Sequence, residues 1–484
     1  MTAMKRILLS AVCSLIAACG VSQIRLPAIL GDNMVLQRSS RVNLWGWASP
    51  SETVTVTPSW SGQSATTTSG TDGRWLVRVE TPQAGGPHSL RIVCGTDSLT
   101  LHDILTGEVW ICSGQSNMEM PVHGFYGQPV EGSVETIFEA SQYPDIRMFT
   151  VPPTPKSEPQ EDCPGNWLKS TPRSVGDFSA VGYFFGKYLH RVLGVPVGLI
   201  TPNVGGIAIE PWMTEEAIRS TEGIDRELAL TPRAGHDAAK ASYLFNGMIA
   251  PLTKFTARGF IWYQGESNQH NYFDYDKLMA SMVRLWRSEW HNDDMPFYYV
   301  QLAPFTYDGK ERISLPLTVE AQYRALGRIP NSGIVPTTDL GHPTAIHPPH
   351  KKEVGQRLAS LALDRTYGIK VLPEPPVVDT VVFTAGKAVV TFRGISDYAP
   401  AAWGSFSYFT GDLRGFELAG ADRRFHPARA RHTENRNEIV VTCDSVPEPV
   451  ALRYAFRNWT DANVTTTEGL PLAPFRTDRW DDAY

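Results

Sequence analysis

Glu108-Val109-Trp110-Ile111-Cys112-Ser113-Gly114-Gln115-Ser116-Asn117-Met118 runs from an apolar stretch straight into a glycine, two carboxamides and a hydroxyl. The uninterrupted apolar residues Val109, Trp110, Ile111 and Cys112 predict a short strand buried on both faces, as in a parallel sheet covered by helices. A serine on the sharp turn at the end of such a strand exposes its hydroxyl. Backbone N–H groups around that turn can face a developing oxyanion. Met118 stands where the second glycine of the familiar GxSxG elbow would be, so only the first half of that motif is present. Serines in turns are common, and the weight of this one comes from what surrounds it.

Upstream, residues 24–105 alternate β-type runs such as Val42-Asn43-Leu44-Trp45-Gly46-Trp47 and Arg74-Trp75-Leu76-Val77-Arg78-Val79 with Gly, Ser, Asp and Pro turns. That spacing predicts an N-terminal β-sandwich. Downstream, residues 106–372 alternate strands with helices: helices over 178–193, 275–290 and 351–367, and strands over 196–200, 259–263 and 297–302. This pattern predicts an α/β domain whose ligands bind beyond the carboxyl ends of parallel strands. After the boundary Pro373-Glu374-Pro375-Pro376, residues 373–484 are β-rich again and predict a C-terminal β-domain.

The chain has 484 residues, is 42% hydrophobic and carries a formal net charge of −6, enough apolar content for several folded domains. No basic stripe is present to attract nucleic acid, and none is expected as a partner. At the N-terminus, Lys5 and Arg6 precede an apolar stretch too short to span a bilayer but suited to a signal peptide over 1–19. Its end, Ile16-Ala17-Ala18-Cys19-Gly20, resembles a bacterial lipobox. The expectation is an exported, periplasmic protein attached to the outer membrane through lipidated Cys19, with ordinary cleavage near Ala18 as the alternative. Cys94, Cys112, Cys163 and Cys443 show neither CxxC nor zinc spacing and read as scattered thiols. No metal or other cofactor is expected.

Three further motifs could carry chemistry. Asn203-Val204-Gly205-Gly206 follows an apolar strand, and a glycine there lets its N–H approach a substrate oxygen. Trp262-Tyr263-Gln264-Gly265-Glu266-Ser267-Asn268 sets carboxamides and a carboxylate directly after a strand. Ile346-His347-Pro348-Pro349-His350 offers a histidine on a proline-stiffened loop, and Pro348 favours His347 over His350 by holding the residue before it extended. A nucleophile and oxyanion donors leave a general base as the missing part, which His347 would supply.

With these motifs and Tyr243-Leu244-Phe245-Asn246-Gly247-Met248 and Gly469-Leu470-Pro471-Leu472-Ala473-Pro474, the chain resembles the sialate O-acetylesterase family of SGNH hydrolases. The resemblance implies a flavodoxin-like three-layer α/β/α esterase domain flanked by β-domains, hydrolysing acetyl esters on sugars. It implies Ser116 as nucleophile, His347 as base, and Ser116 and Gly205 (or Gly206) as N–H oxyanion donors. Where relatives read Gly-x-Asn-Asp this chain has Gly265-Glu266-Ser267-Asn268, so Gln264 becomes the third oxyanion donor, with Asn268 as the other candidate. The acid usually found three residues before the histidine is replaced by Thr344. Asp339 is then the candidate to orient His347, or a backbone carbonyl does so in a Ser-His dyad. Gln115, Asn117, Glu266, Asn268 and Trp212 are expected to contact the sugar.

The expected partner is an O-acetylated oligosaccharide or polysaccharide. An anionic sialic acid calls for a positioned arginine or lysine; the catalytic motifs contain no adjacent arginine, which favours an acetylated plant cell-wall glycan such as xylan or xyloglucan, and Arg233 is the loop residue that could reach in. The rival is a glycan-binding surface protein on an inactive esterase scaffold, kept open by the missing acid.

Overall fold

The computed structural model describes residues 24–372, 374–393, 412–433, 435 and 437–481. The export segment, with Cys13 and Cys19, lies outside them. Successive residues of the opening strand face opposite ways, as the pleat requires: Val109 and Ile111 enter one core, Trp110 and Cys112 another. The same alternation repeats in Phe260 and Trp262 against Ile261 and Tyr263, and in Phe297 and Tyr299 against Tyr298 and Val300. A sheet apolar on both faces needs a helical layer on each.

The strands are β1 (Asp97–Gly114), β2 (Ile146–Val151), β3 (Trp167–Lys169), β4 (Val197–Pro202), β5 (Gly259–Tyr263), β6 (Phe297–Val300) and β7 (Ser332–Val335). They lie in the order β7-β6-β5-β1-β4-β2-β3, parallel throughout except for β3 at the edge. The five strands that carry the motifs, β4-β1-β5-β6-β7, follow the flavodoxin-like order 2-1-3-4-5, and β2 and β3 extend that sheet at the edge beyond β4. The chain fills one side of β1 before crossing to the other, and the crevice at that reversal lies beyond the end of β1, where Ser116 follows.

Helices α2 (Ala180–Leu193) and α5 (Lys351–Tyr367) cover one face, and α3 (Tyr272–Glu289) covers the other. Helix α4 (Ser314–Leu326) contributes to both cores. The sequence pattern missed it because Pro316 reads as a breaker, yet proline is tolerated in a first turn. Its N-terminus has no side-chain cap of its own. Asn458 supplies one from the C-terminal domain, its Oδ1 accepting from the Leu315 N–H at 2.9 Å.

The N-terminal strands Thr53–Pro58 and Gly85–Cys94 pair into the sheet that continues β1, while Arg41–Trp47 and Arg74–Glu80 form a separate pair sharing its core. β1 is thus one strand of 18 residues crossing the expected 105/106 boundary. Where it enters the α/β domain, the fully buried Glu108 carboxylate takes hydrogen bonds from Arg38, Gln37, Arg258 and Tyr367. After residue 373, two four-stranded sheets enclose a core of Val390, Leu418, Ile439 and Leu452. Arg476 joins this domain to Glu320 on α4 at 2.8 and 3.0 Å. Cys94, Cys112, Cys163 and Cys443 are free. No helix among the described residues is long and apolar enough to cross a membrane.

Candidate active site

Gly114 closes β1 with φ +147°, and a Cβ there would sit 2.2 Å from the Tyr263 carbonyl oxygen, so only glycine lets the turn press against β5. The Gln115 N–H donates to that same carbonyl at 3.0 Å. The half-buried Ser116 then opens α1 (Ser116–Glu119). From the other side, the Val204 N–H donates to Gly114 O at 3.2 Å, which brings the Gly205 turn alongside. A Cβ on Gly205 would lie 3.2 Å from Ser116 Cβ and 2.8 Å from Glu119 Oε2. The Gly205 N–H donates to the Glu119 carboxyl, whose proton affinity is raised by burial and lowered in part by that bond.

The histidine loop reaches the nucleophile turn through Asn117. Its Nδ2 donates to Ile346 O at 3.1 Å and to Glu266 Oε1 at 2.6 Å, and its Oδ1 accepts from Lys351 Nζ at 2.5 Å. The residue after Ser116 is therefore bonded to the residue before His347. On the far side of the imidazole, Gln128 Oε1 lies 2.7 Å from Nδ1, and the Phe125 ring packs edge-on with centroids 5.1 Å apart. With the carboxamide oxygen accepting, Nδ1 carries the proton and Nε2 keeps its lone pair. Burial, reinforced by the Lys351 charge, pulls His347 down to about 4, so the ring is a free base at neutral pH.

Five expectations are corrected. Asp339 does not orient His347: its two oxygens accept from Arg357 at 2.8 and 2.6 Å, and Arg357 also donates to Pro336 O and Gly469 O. A carboxylate so engaged braces the loop after β7 against the C-terminal domain. Gln264 is fully buried, its Nε2 donating to Ile207 O and Asn268 Oδ1 and its Oε1 accepting from Tyr275, so no donor remains for an oxyanion. Asn268, also fully buried, donates to Glu210 and Asn271 and is a scaffold residue rather than a sugar contact. Trp212 is fully buried, perpendicular to Trp262 with centroids 6.0 Å apart, and presents no face to a sugar. Gln115 is buried too, its Oε1 accepting from the Gly265 and Ser267 N–H groups at 3.2 and 3.4 Å.

The residues that come together are therefore Ser116, Gly205, Asn117, Glu266 and His347, with Asn117, buried and bonded at both carboxamide atoms, bracing the turn rather than contacting the sugar. Sequence reasoning missed Gln128, Glu119 and Lys351. The first sits in Gly124-Phe125-Tyr126-Gly127-Gln128-Pro129, where paired glycines mark a turn but nothing ties it to His347. A larger cavity of about 620 Å³, between α4, α5, β7 and the C-terminal domain, contains none of these site residues.

A parallel sheet presenting a serine turn, glycine N–H groups and a neutral histidine at its carboxyl edge has the parts of a carboxylic ester hydrolase. The comparisons with known proteins agree. The family profile "Carbohydrate esterase, sialic acid-specific acetylesterase" matches residues 106–364, more than half of the chain. The sialate O-acetylesterase of Homo sapiens is 28% identical over 475 residues, covering 90% of this chain and 88% of that one. That of Rattus norvegicus is 30% identical over 408 residues, covering 72% and 74%. The crystal structure of XAC1771, a novel carbohydrate acetylesterase from Xanthomonas citri, superposes with a TM-score of 0.84 at 36% identity, covering 94% of this chain and all of that one. The chain belongs to the sialic acid-specific acetylesterase family of carbohydrate esterases. This membership favours the enzyme over the inactive glycan-binding rival.

Proposed function

We propose that the protein removes acetyl groups from carbohydrates by an SGNH-type Ser-His mechanism. The observation that carries the reading is the Asn117–Ile346 hydrogen bond, which couples the nucleophile turn to the loop of a histidine whose Nδ1 is already engaged by Gln128. Ser116 Oγ attacks the acetyl carbonyl carbon as its proton passes to His347 Nε2. The tetrahedral oxyanion is held by the Ser116 and Gly205 N–H groups, displacing the Glu119 carboxyl from the latter. Collapse expels the sugar oxygen, which takes the proton back from His347. Water, deprotonated by the same base, then hydrolyses the acetyl-enzyme to acetate and restores the serine.

For the substrate, the catalytic motifs hold no arginine to pair with a sialic acid carboxylate, which favours an acetylated cell-wall glycan such as xylan or xyloglucan. One observation supports O-acetylated sialic acid as a second reading: Arg233 lines a small cavity of about 80 Å³ with Gly206, Glu210 and Ser267, beside the oxyanion turn. Acetate release from acetylated xylan, xyloglucan, pectin oligosaccharides and O-acetylated sialic acid, measured with wild type beside Ser116→Ala, tests both. Release abolished by the substitution supports the mechanism and names the sugar. Release that survives it removes Ser116 as the nucleophile, and no release from any sugar refutes the reading.

A further inference from the structure

Lys351 is fully buried and occupies the first position of α5. Both circumstances disfavour a cation: burial strips its hydration, and a helix N-terminus is the positive end of the macrodipole. The acceptor it meets is the Asn117 carboxamide oxygen, at 2.5 Å. The carboxylate in reach, Glu266, stands on the other side of the same carboxamide, bonded to Asn117 Nδ2 at 2.6 Å. The remaining titratable groups around it are Tyr263, whose ring centroid lies 5.8 Å from Nζ, and His347 on its own loop. Tyr307 faces Glu266 from beyond, and the Glu131–His350 pair lies on the outer side of the loop.

An ammonium group only donates, so it dictates which end of the Asn117 carboxamide faces it. With Oδ1 turned to Lys351, Nδ2 must face Glu266 and Ile346 O, and that second bond couples Ser116 to His347. Resting on the Ser116–His347 reading above, we propose that Lys351 is a positioning residue: it locks Asn117 between the nucleophile turn and the histidine loop, and its charge adds to burial in disfavouring the imidazolium.

Burial brings the Lys351 ammonium down to about 7, against the opposing pull of Glu266. The charge is therefore present on the acid side, where an ordinary imidazole would become protonated, and fades where His347 would be neutral without help.

The test is the pH profile of kcat/KM for acetate release from 4-nitrophenyl acetate in wild type and Lys351→Met, an unbranched replacement of similar length. The expectation is that kcat falls about 10- to 100-fold while KM stays within about two-fold, as for misplaced catalytic groups. The acid limb should move up by about one pH unit, toward the ordinary imidazole value of about 6.5. A reduced kcat with an unmoved acid limb leaves Lys351 a packing residue and overturns the proposal. If Lys351→Met does not fold, the wild type carries the test alone. In histidine-labelled protein, the NMR signal absent from His347→Asn should titrate well below pH 6.5, and titration at the ordinary value overturns the proposal. Loss of the Ser116–His347 reading itself would show separately, as hydrolysis surviving Ser116→Ala.

Discussion

Gln128 Oε1 and His347 Nδ1 meet at 2.7 Å across 219 residues of chain, placing a neutral amide where a serine hydrolase commonly has a carboxylate. An amide can select the tautomer but adds no negative charge to stabilise the imidazolium. Gln128→Ala should therefore lower kcat by about 10- to 100-fold through a mis-set ring. Gln128→Glu should keep the geometry and raise the imidazole's proton affinity. The pH profile of kcat/KM separates the two, because only Gln128→Glu shifts the acid limb upward.

Asp339→Asn follows from the Asp339–Arg357 pair. A triad acid exchanged for its amide slows turnover by about 10⁴-fold in well-studied serine proteases, whereas here kcat should stay within about three-fold of wild type. The cost should appear as a lower melting temperature, since Arg357, buried and bonded to Pro336 and Gly469, loses its countercharge. A loss of turnover approaching that of a triad acid would return Asp339 to the catalytic machinery.

In the proposed mechanism the acid limit of the reaction is set by His347. Its folded-state proton affinity is lowered to about 4, by burial first and Lys351 second, so the active free base is lost only as pH falls through that value. Initial rates should be flat from neutrality down to about pH 5 and then fall. A limb centred near the ordinary imidazole value of about 6.5 would contradict a buried ring engaged by Gln128.

Gly205→Ala should be far more damaging than its size suggests. The added Cβ would press on Ser116 Cβ at 3.2 Å and on Glu119 Oε2 at 2.8 Å. Displacing one oxyanion N–H should reduce kcat on the order of 100-fold with little change in melting temperature, whereas an unaffected kcat would show that this N–H takes no part.

Glu108→Gln probes the root of β1. Burial pushes this carboxylate's proton affinity up, but Arg258, Arg38 and Gln37 outweigh it and the folded value is depressed. Its contribution is therefore present above the unfolded carboxylate value and is lost as pH falls through the folded one. The variant should lose about 3 kcal/mol in denaturant unfolding at neutral pH, leaving two arginines with a neutral partner. The difference from wild type should shrink toward the acid side.

The parts legible in the sequence were those encoded locally. Val109 to Cys112, Phe260 to Tyr263 and Phe297 to Val300 announce two-faced strands because every side chain is apolar and both faces are buried. Gly114-Gln115-Ser116 announces a turn with an exposed hydroxyl because glycine is needed where the chain presses on Tyr263. Nearness in sequence misled where partners are chosen in space. Asp339 lies eight positions before His347 yet faces Arg357, while Trp212, next to a motif, packs under the sheet against Trp262.

By itself, then, the sequence determined the succession of β, α/β and β regions, the serine turn, the glycine turn and the histidine loop, since backbone propensity and hydrophobic period act over a few residues. Only the tertiary structure decided which polar groups are left free to react. Gln264 and Asn268 satisfy one another and Glu210 inside the domain, Asp339 satisfies Arg357, and Gln128, Asn117 and Lys351 are brought to His347 and Ser116 from three separate segments. The reason is that a buried hydrogen-bonding group must find a partner wherever the fold provides one, and that partner is set by how the strands and helices pack, not by its distance along the chain.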